Sequence, residues 1–246
     1  PIFATGDQAT ALGNASQAGA ANATALGFGA SANGAAATTL GANATASAAN
    51  AVAIGGAASA ANAAQAGGVN AVAIGQNTRA IGANATVVGA SNAVTGANSG
   101  AFGTGNTVNG TGSYAVGDPN VVNGSSSYAF GNNNTINGAN VAGNGDLVTA
   151  IGTGNVAAST ASAAASNILG IANTVNAVNA IAIGNRSTVN GSASISIGIG
   201  NTVEQPAAIA IGNNITTSRV GQIAIGGGAN TYTLAGIASA NSLAAQ

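Results

Sequence analysis

The side chains able to do ionic chemistry are few. Arg79, Arg186, Arg219, Asp7, Asp118, Asp146 and Glu204 carry all the side-chain charge of a 246-residue chain. Histidine, cysteine, methionine, tryptophan and lysine are absent. Their absence removes thiolate and imidazole metal sites, histidine-dependent triads and lysine Schiff bases. A calcium site takes about six to eight oxygens, usually with several carboxylates, and the acids here form no cluster. No side chain has a pKa suited to general base work near neutrality. The chain is therefore expected not to be an enzyme and to use no metal or cofactor. A net charge of −1 also speaks against nucleic acid, whose phosphates call for clustered cations, and against a polybasic membrane patch.

The remaining candidates each carry two readings. Tyr114 and Tyr128 recur fourteen residues apart, and Phe102 and Phe130 twenty-eight apart. They make either an aromatic binding patch or a stack of core or interface aromatics. Arg79, Arg186 and Arg219 fall at or near expected corners and either hold an acidic ligand or are solvated charges. Asp118-Pro119 reads as a turn dipeptide. Asn-x-Ser/Thr at Asn14, Asn22, Asn43 and Asn84 is a by-product to be expected of an Asn- and Thr-rich chain.

The elements that must position these residues come from a repeat. A small-x-small-apolar-Gly pattern recurs as ATALG (9–13 and 23–27), AVAIG (51–55 and 71–75), SYAVG (113–117), SYAFG (127–131), AIAIG (180–184 and 208–212), SISIG (194–198) and QIAIG (222–226). The closing glycines are Gly13, Gly27, Gly41, Gly55, Gly75, Gly89, Gly103, Gly117, Gly131, Gly143, Gly152, Gly170, Gly184, Gly198, Gly212 and Gly226. Eleven of the fifteen gaps between them are fourteen residues. Gly55 to Gly75 is longer, and Gly131 to Gly170 reads as three irregular turns. A second glycine often follows seven residues later, as at Gly34, Gly82, Gly96, Gly110, Gly124, Gly138 and Gly191. Each half-repeat is then a short extended segment and a corner, where glycine can reach φ > 0.

Alternation with period two marks the extended segments as strands. Large apolar residues precede the closing glycines, among them Ile54, Ile74, Ile183, Ile197, Ile211 and Ile225, and small residues precede those. The second half-repeat has its own apolar slot at Val94, Val108, Val122, Ile136, Val175, Val189 and Val203. Asn92, Asn106, Asn120, Asn134, Asn173 and Asn201 sit two residues before that slot, so stacked turns align them as an amide ladder. Residues 42–66 are rich in alanine, a strong helix former. A glycine every seven or fourteen residues opposes an all-helical chain, though a short helix near 56–68 stays open.

One such turn cannot bury its own apolar face. Parallel stacking at about 4.8 Å per turn creates a continuous core and a rod on the order of 75 Å long. A two-strand turn is thin, and an apolar or very small stripe is left outside whichever set points in. A stripe of that length exceeds what soluble monomers expose and calls for self-association about a symmetry axis. The isoleucines named above are thus core or interface residues.

AVAIG, AIAIG and SISIG at fourteen-residue spacing, with half-turns such as GNTVNG (105–110), resemble the YadA-like head repeats of trimeric autotransporter adhesins. The resemblance runs from about Thr10 to Gly226. It implies an all-β, left-handed parallel β-roll assembled as a homotrimer and displayed on the bacterial outer membrane. Such heads bind host extracellular matrix proteins, cells or abiotic surfaces, or one another. Residues 1–229 are expected to form the head, irregular near 56–70 and 132–168, and residues 230–246 a connector toward neck and stalk. The family's stalk heptads and anchor are not seen in this sequence. Neither a signal peptide nor an apolar run of about 18 residues is seen, and the chain reads as a segment of something longer.

The alternative class is a passive solenoid: a spacer, or a fibre segment of ice-binding or phage-fibre type. Thr10, Thr24 and Thr38 align over three turns as ice binding would favour, but Val52 breaks the row.

Overall fold

The structure, a computed structural model, describes residues 1–158 and 161–227. Two parallel sheets of fifteen strands run the length of the chain, with successive strands alternating between them. One sheet is built of two-residue strands, from Phe3–Ala4 to Thr216–Thr217. The other has strands of three to five residues, from Thr10–Leu12 to Ile223–Ile225. Each strand pairs with its equivalent in the turns before and after, so identical repeat positions form columns: Ile183 pairs with Ile197 and Ile197 with Ile211. The molecule is a parallel β-solenoid, as the fourteen-residue repeat predicts.

The interior is as thin as two strands per turn dictate. One residue per strand points inward, mostly alanine or valine, with Ile136 and Ile168 the largest. Ala25, Ala53, Ala115 and Ala182 from the longer strands are fully buried, facing Ala32, Ala46 and Ala80, then Val94, Val108 and Val189, from the shorter ones. The N-terminal turns thus have a nearly alanine-on-alanine core, and valine enters the longer-strand side at Val87 and the shorter-strand side from Val94 onward. Each Ala-to-Val step adds two carbons, about 1.6 kcal/mol of burial per turn.

The corners correct the expected role of glycine. The closing glycines do hold positive φ, as at Gly184 (+128°), and a Cβ there would also overlap the carbonyl oxygen of Gly198 in the next turn. The half-repeat glycines do not. Gly82 and Gly110 have no positive φ; a Cβ on either would strike the carbonyl of the next turn, at Gly96 and Gly124. Close approach is what requires glycine there. The left-handed residue of that corner lies two positions on and is often asparagine, as at Asn84 (φ 57°) and Asn98 (φ 55°). Asparagine tolerates this conformation better than most residues. Asn22 and Asn43 occupy left-handed corners too, which accounts for several of the Asn-x-Ser/Thr sequences.

The irregular stretches are enlarged corners. Between Ile54 and Gln65 the chain makes one 3-10 turn at Ala60–Asn62 and rejoins the stack. Gly131 pairs directly with Gly152, and Gly152 with Gly170. The segment from Gly131 to Gly170 therefore holds two turns, not three. Gly143 closes no turn; it lies in the loop between Ile136 and Thr149. There Asn137 clips the backbone of Val141 through both amide atoms, at 2.7 and 3.0 Å. Residues 230–246, expected as the connector, lie outside the described residues.

Replacing Gly184 by alanine should cost about 3 kcal/mol or more, since strain and backbone overlap act together. Thermal unfolding followed by circular dichroism should show a Tm several degrees below that of the native chain, with Ser192→Ala unchanged as control.

Candidate functional site

The repeat builds three surfaces: the outer face of each sheet and the corners. On the longer strands, residues on both sides of the inward alanine point out. The column before the closing glycine is apolar throughout: Leu12, Phe102, Phe130, Ile183, Ile197, Ile211 and Ile225 are exposed, and Ile54 and Ile74 half-buried. These isoleucines are not core residues of the single chain. The parallel column holds threonine and valine early, then Tyr114 and Tyr128, then Ile181, Ile195, Ile209 and Ile223. Fifteen rungs make this face about 70 Å long and 10 Å wide, larger than the patch of about 300–600 Å² a typical monomer exposes. A shallow depression lined by Ile151, Ile168, Leu169 and Ile183 belongs to it.

The aromatic residues lie on this same face. Tyr114 and Tyr128 stack with ring centroids 6.0 Å apart and planes within 2°. The Tyr114 ring lies over Gly100, where a Cβ would come within 2.9 Å of it. They are outer-face columns, outside the core.

Between the sheets, at the two corners, run two buried polar ladders. Asn92, Asn106, Asn120, Asn134, Asn155 and Asn173 are buried. In each step the Oδ1 of one asparagine accepts the backbone N–H and the side-chain amide of the next, as Asn106 does from Asn120 at 2.9 and 3.0 Å. The same Nδ2 of Asn120 donates to the Gly131 carbonyl at 2.9 Å. The ladder so ties three successive turns at every rung. Asn155 is a further member, hidden in the sequence because Gly143 fits the closing-glycine pattern and displaces the register. At the opposite corner Ser113 accepts from the Ser127 N–H at 3.0 Å and donates to the Gly124 carbonyl at 2.7 Å. Ser99, Ser127, Ser166 and Ser194 repeat the arrangement, and the sequence reading did not single them out. These polar groups are occupied in holding the stack.

The charged residues do not converge. Arg79 stands on the strand Arg79–Ala80, not at a corner, and is exposed. Arg186 is exposed and occupies a left-handed corner (φ 53°). Arg219 is exposed near the last described turn. Asp146 accepts the Ser125 N–H at 2.7 Å and so closes an enlarged corner. Among the described residues no three His, Cys, Asp or Glu come together as metal ligands. No helix among them is long and apolar enough to cross a membrane.

The fold and its faces define a solenoid repeat protein whose surfaces are columns rather than a pocket. The YadA head domain repeat family (its model spanning two copies) matches residues 4–30, 66–92, 169–187 and 190–214. Over these stretches the chain carries YadA-like head repeats, the unit of trimeric autotransporter heads. No curated protein matches it.

Asn120→Ala should remove the acceptor shared by the Asn134 N–H and amide, and one of the two donors to the Gly131 carbonyl, which keeps the Asp118 N–H, at a cost of about 3 kcal/mol. Amide exchange at Asn134 should accelerate sharply, while exchange at Ala32, many turns away, stays as in the native chain.

Proposed function

We propose that the chain is a head segment of a trimeric autotransporter adhesin, three left-handed β-rolls packing side by side with the outer faces of their longer strands turned toward a common axis. One observation carries this reading: the end-to-end apolar face from Leu12 to Ile225, which a single chain leaves in water. Burying it about a closed symmetry axis removes it from solvent without leaving a complementary surface for open-ended growth. The number three comes from the resemblance to YadA-like heads, as does the left hand. The assembled head would stand at the bacterial surface on a stalk and outer-membrane anchor and attach to host matrix proteins, cells or abiotic surfaces, or to other heads.

The placement of the aromatic residues favours a second reading, a passive spacer. Tyr114, Tyr128, Phe102 and Phe130 lie on the face to be covered, so the surfaces left outside consist mainly of Thr, Asn, Ala and Gly. The protrusions at 56–64 and 137–148 are then the places to seek a ligand.

Light scattering on the intact chain should give three times its 22.5 kDa mass. Ile197→Glu should break the assembly while circular dichroism still reports β-structure; a native chain that is monomeric would overturn the arrangement. Binding to immobilised matrix proteins and to polystyrene, tested with the 56–64 and 137–148 corners shortened in turn, separates adhesin from spacer: loss of binding identifies the protrusion used, and no binding at all favours the spacer.

A further inference from the structure

The outer face of the shorter strands carries a different array. From Thr107 to Thr216 the outward position of successive rungs is threonine, apart from Val121 and Val156. Thr174, Thr188, Thr202 and Thr216 follow one another without a break. The residue one step past each strand forms a second outward column, and its side chains are tied together. Thr95 Oγ1 donates to Asn109 at 2.6 Å, Asn109 to Asn123 at 2.7 Å and Asn176 to Asn190 at 3.1 Å. The hydroxyls of Thr107, Thr135, Thr174, Thr188 and Thr202 make no hydrogen bond among the described residues. Glu204 is the one charge within these two columns, and Arg186 stands exposed at the corner two residues before Thr188.

The spacing matters more than the composition. Parallel rungs stand about 4.8 Å apart, so the threonine hydroxyls repeat at about that interval. Two water oxygens bonded to a shared third at about 2.75 Å with a tetrahedral angle lie about 4.5 Å apart. A row of free hydroxyls held by the backbone ladder at nearly the second-neighbour distance of tetrahedral water can anchor one water per rung in register. The threonine methyls beside them exclude disordered water. Two residues along the strand a bonded polar column, Asn109 and Asn123 and then Asn176, Asn190 and Glu204, adds a parallel row that has already lost rotamer freedom.

We infer that this strip, centred on Thr174–Thr216 with the asparagine column beside it, binds the ordered water of an ice surface. The threonine row noted in the sequence, Thr10 to Thr38, is on the opposite sheet, within the apolar face; the longer row is here. Other occupants fit less well. A glycan site would call for stacking aromatics and the strip carries none. A charged mineral or polyanion would call for cations. A protein partner would call for large apolar anchors at its centre, and Val121 and Val156 are the strip's apolar side chains. The site does not depend on the adhesive reading, since it lies on the face that the proposed trimer leaves open.

The test is thermal hysteresis and ice-crystal shape in a solution of the intact chain. The native chain should hold faceted crystals below the melting point. Thr188→Lys, in the middle of the row, should lose most of that hysteresis. Gln17→Lys, at the same strand position outside the strip, should keep it. Light scattering and circular dichroism on each variant separate this result from loss of assembly or fold. Asn190→Lys, exposed in the same rung, serves if Thr188→Lys does not fold. Round crystals with no hysteresis from the native chain would overturn the inference. So would full hysteresis in folded Thr188→Lys, or equal losses in Thr188→Lys and Gln17→Lys.

Discussion

Each turn lies directly over the last, in register, and the rest of the structure depends on that superposition. Parallel pairing joins position to equivalent position, Gly184 to Gly198 to Gly212 and Ile181 to Ile195 to Ile209. A side chain that suits one rung must therefore suit its own copies above and below. Glycine is forced where a corner carbonyl of the next turn comes too close for a Cβ, and alanine where the two sheets nearly touch. Asparagine is favoured inside because its amide both donates and accepts, and can satisfy the rung on either side without a partner from elsewhere. Extra residues are tolerated only at corners. The pairing of Gly55 with Gly75, and of Gly131 with Gly152, shows the register resuming after each enlarged loop.

The same constraint inverts the usual placement of apolar bulk. In a globular domain the large aliphatic side chains fill the core. Here the space between the sheets is filled mostly by alanine and valine, with isoleucine only at Ile136 and Ile168 among the inward strand positions, and most isoleucine and leucine is displaced to the outer face. The interior alone buries little apolar surface per residue, while the outer face offers a great deal. A single chain of this kind is stabilised by backbone pairing and amide ladders, and much of its hydrophobic stabilisation is available only between chains. Fold and the proposed assembly are thus two parts of one energetic argument, and the surface that assembly would leave over is small, mostly neutral and repetitive.

The strand alternation, the columns and the Asn ladder were legible in the sequence because each rests on period alone. Ile183, Ile197 and Ile211 stand in one line because they recur every fourteen residues. Which way they point was not legible: alternation places the small and large sets on opposite sides of the sheet without saying which side is inside. That depends on the separation of the sheets, a three-dimensional quantity set by Ala53 facing Ala46. The turn count between Gly131 and Gly170 failed for a related reason. Gly143 fits the glycine pattern, but a loop glycine and a corner glycine look alike unless Asn155 is recognised as the next ladder rung. The threonine strip does not follow from the closing-glycine motif, because its row belongs to the other half-turn.

The rod is not uniform along its length. Up to Ala80 its short-strand core is alanine, and the ladder position holds Ser16, Ala30, Ala44, Ala64 and Thr78; from Asn92 to Asn173 amides fill that position, followed by Ser187, Asn201 and Ile215, and from Val94 the core is mostly valine, with Ile136, Ala157 and Thr217 as exceptions. In a one-dimensional array, stability is close to a sum of rung and neighbour terms, so the later rungs gain from two sources that the earlier ones lack. The threonine–asparagine strip begins at Thr95 and Thr107, in the same part of the rod. A periodic surface serves as a template only if its rungs hold their spacing. The amide ladder lies beneath the first part of the strip, from Asn92 to Asn173; beneath Thr188 to Thr216 the same position holds Ser187, Asn201 and Ile215, and there the parallel backbone pairing sets the spacing of the outer columns.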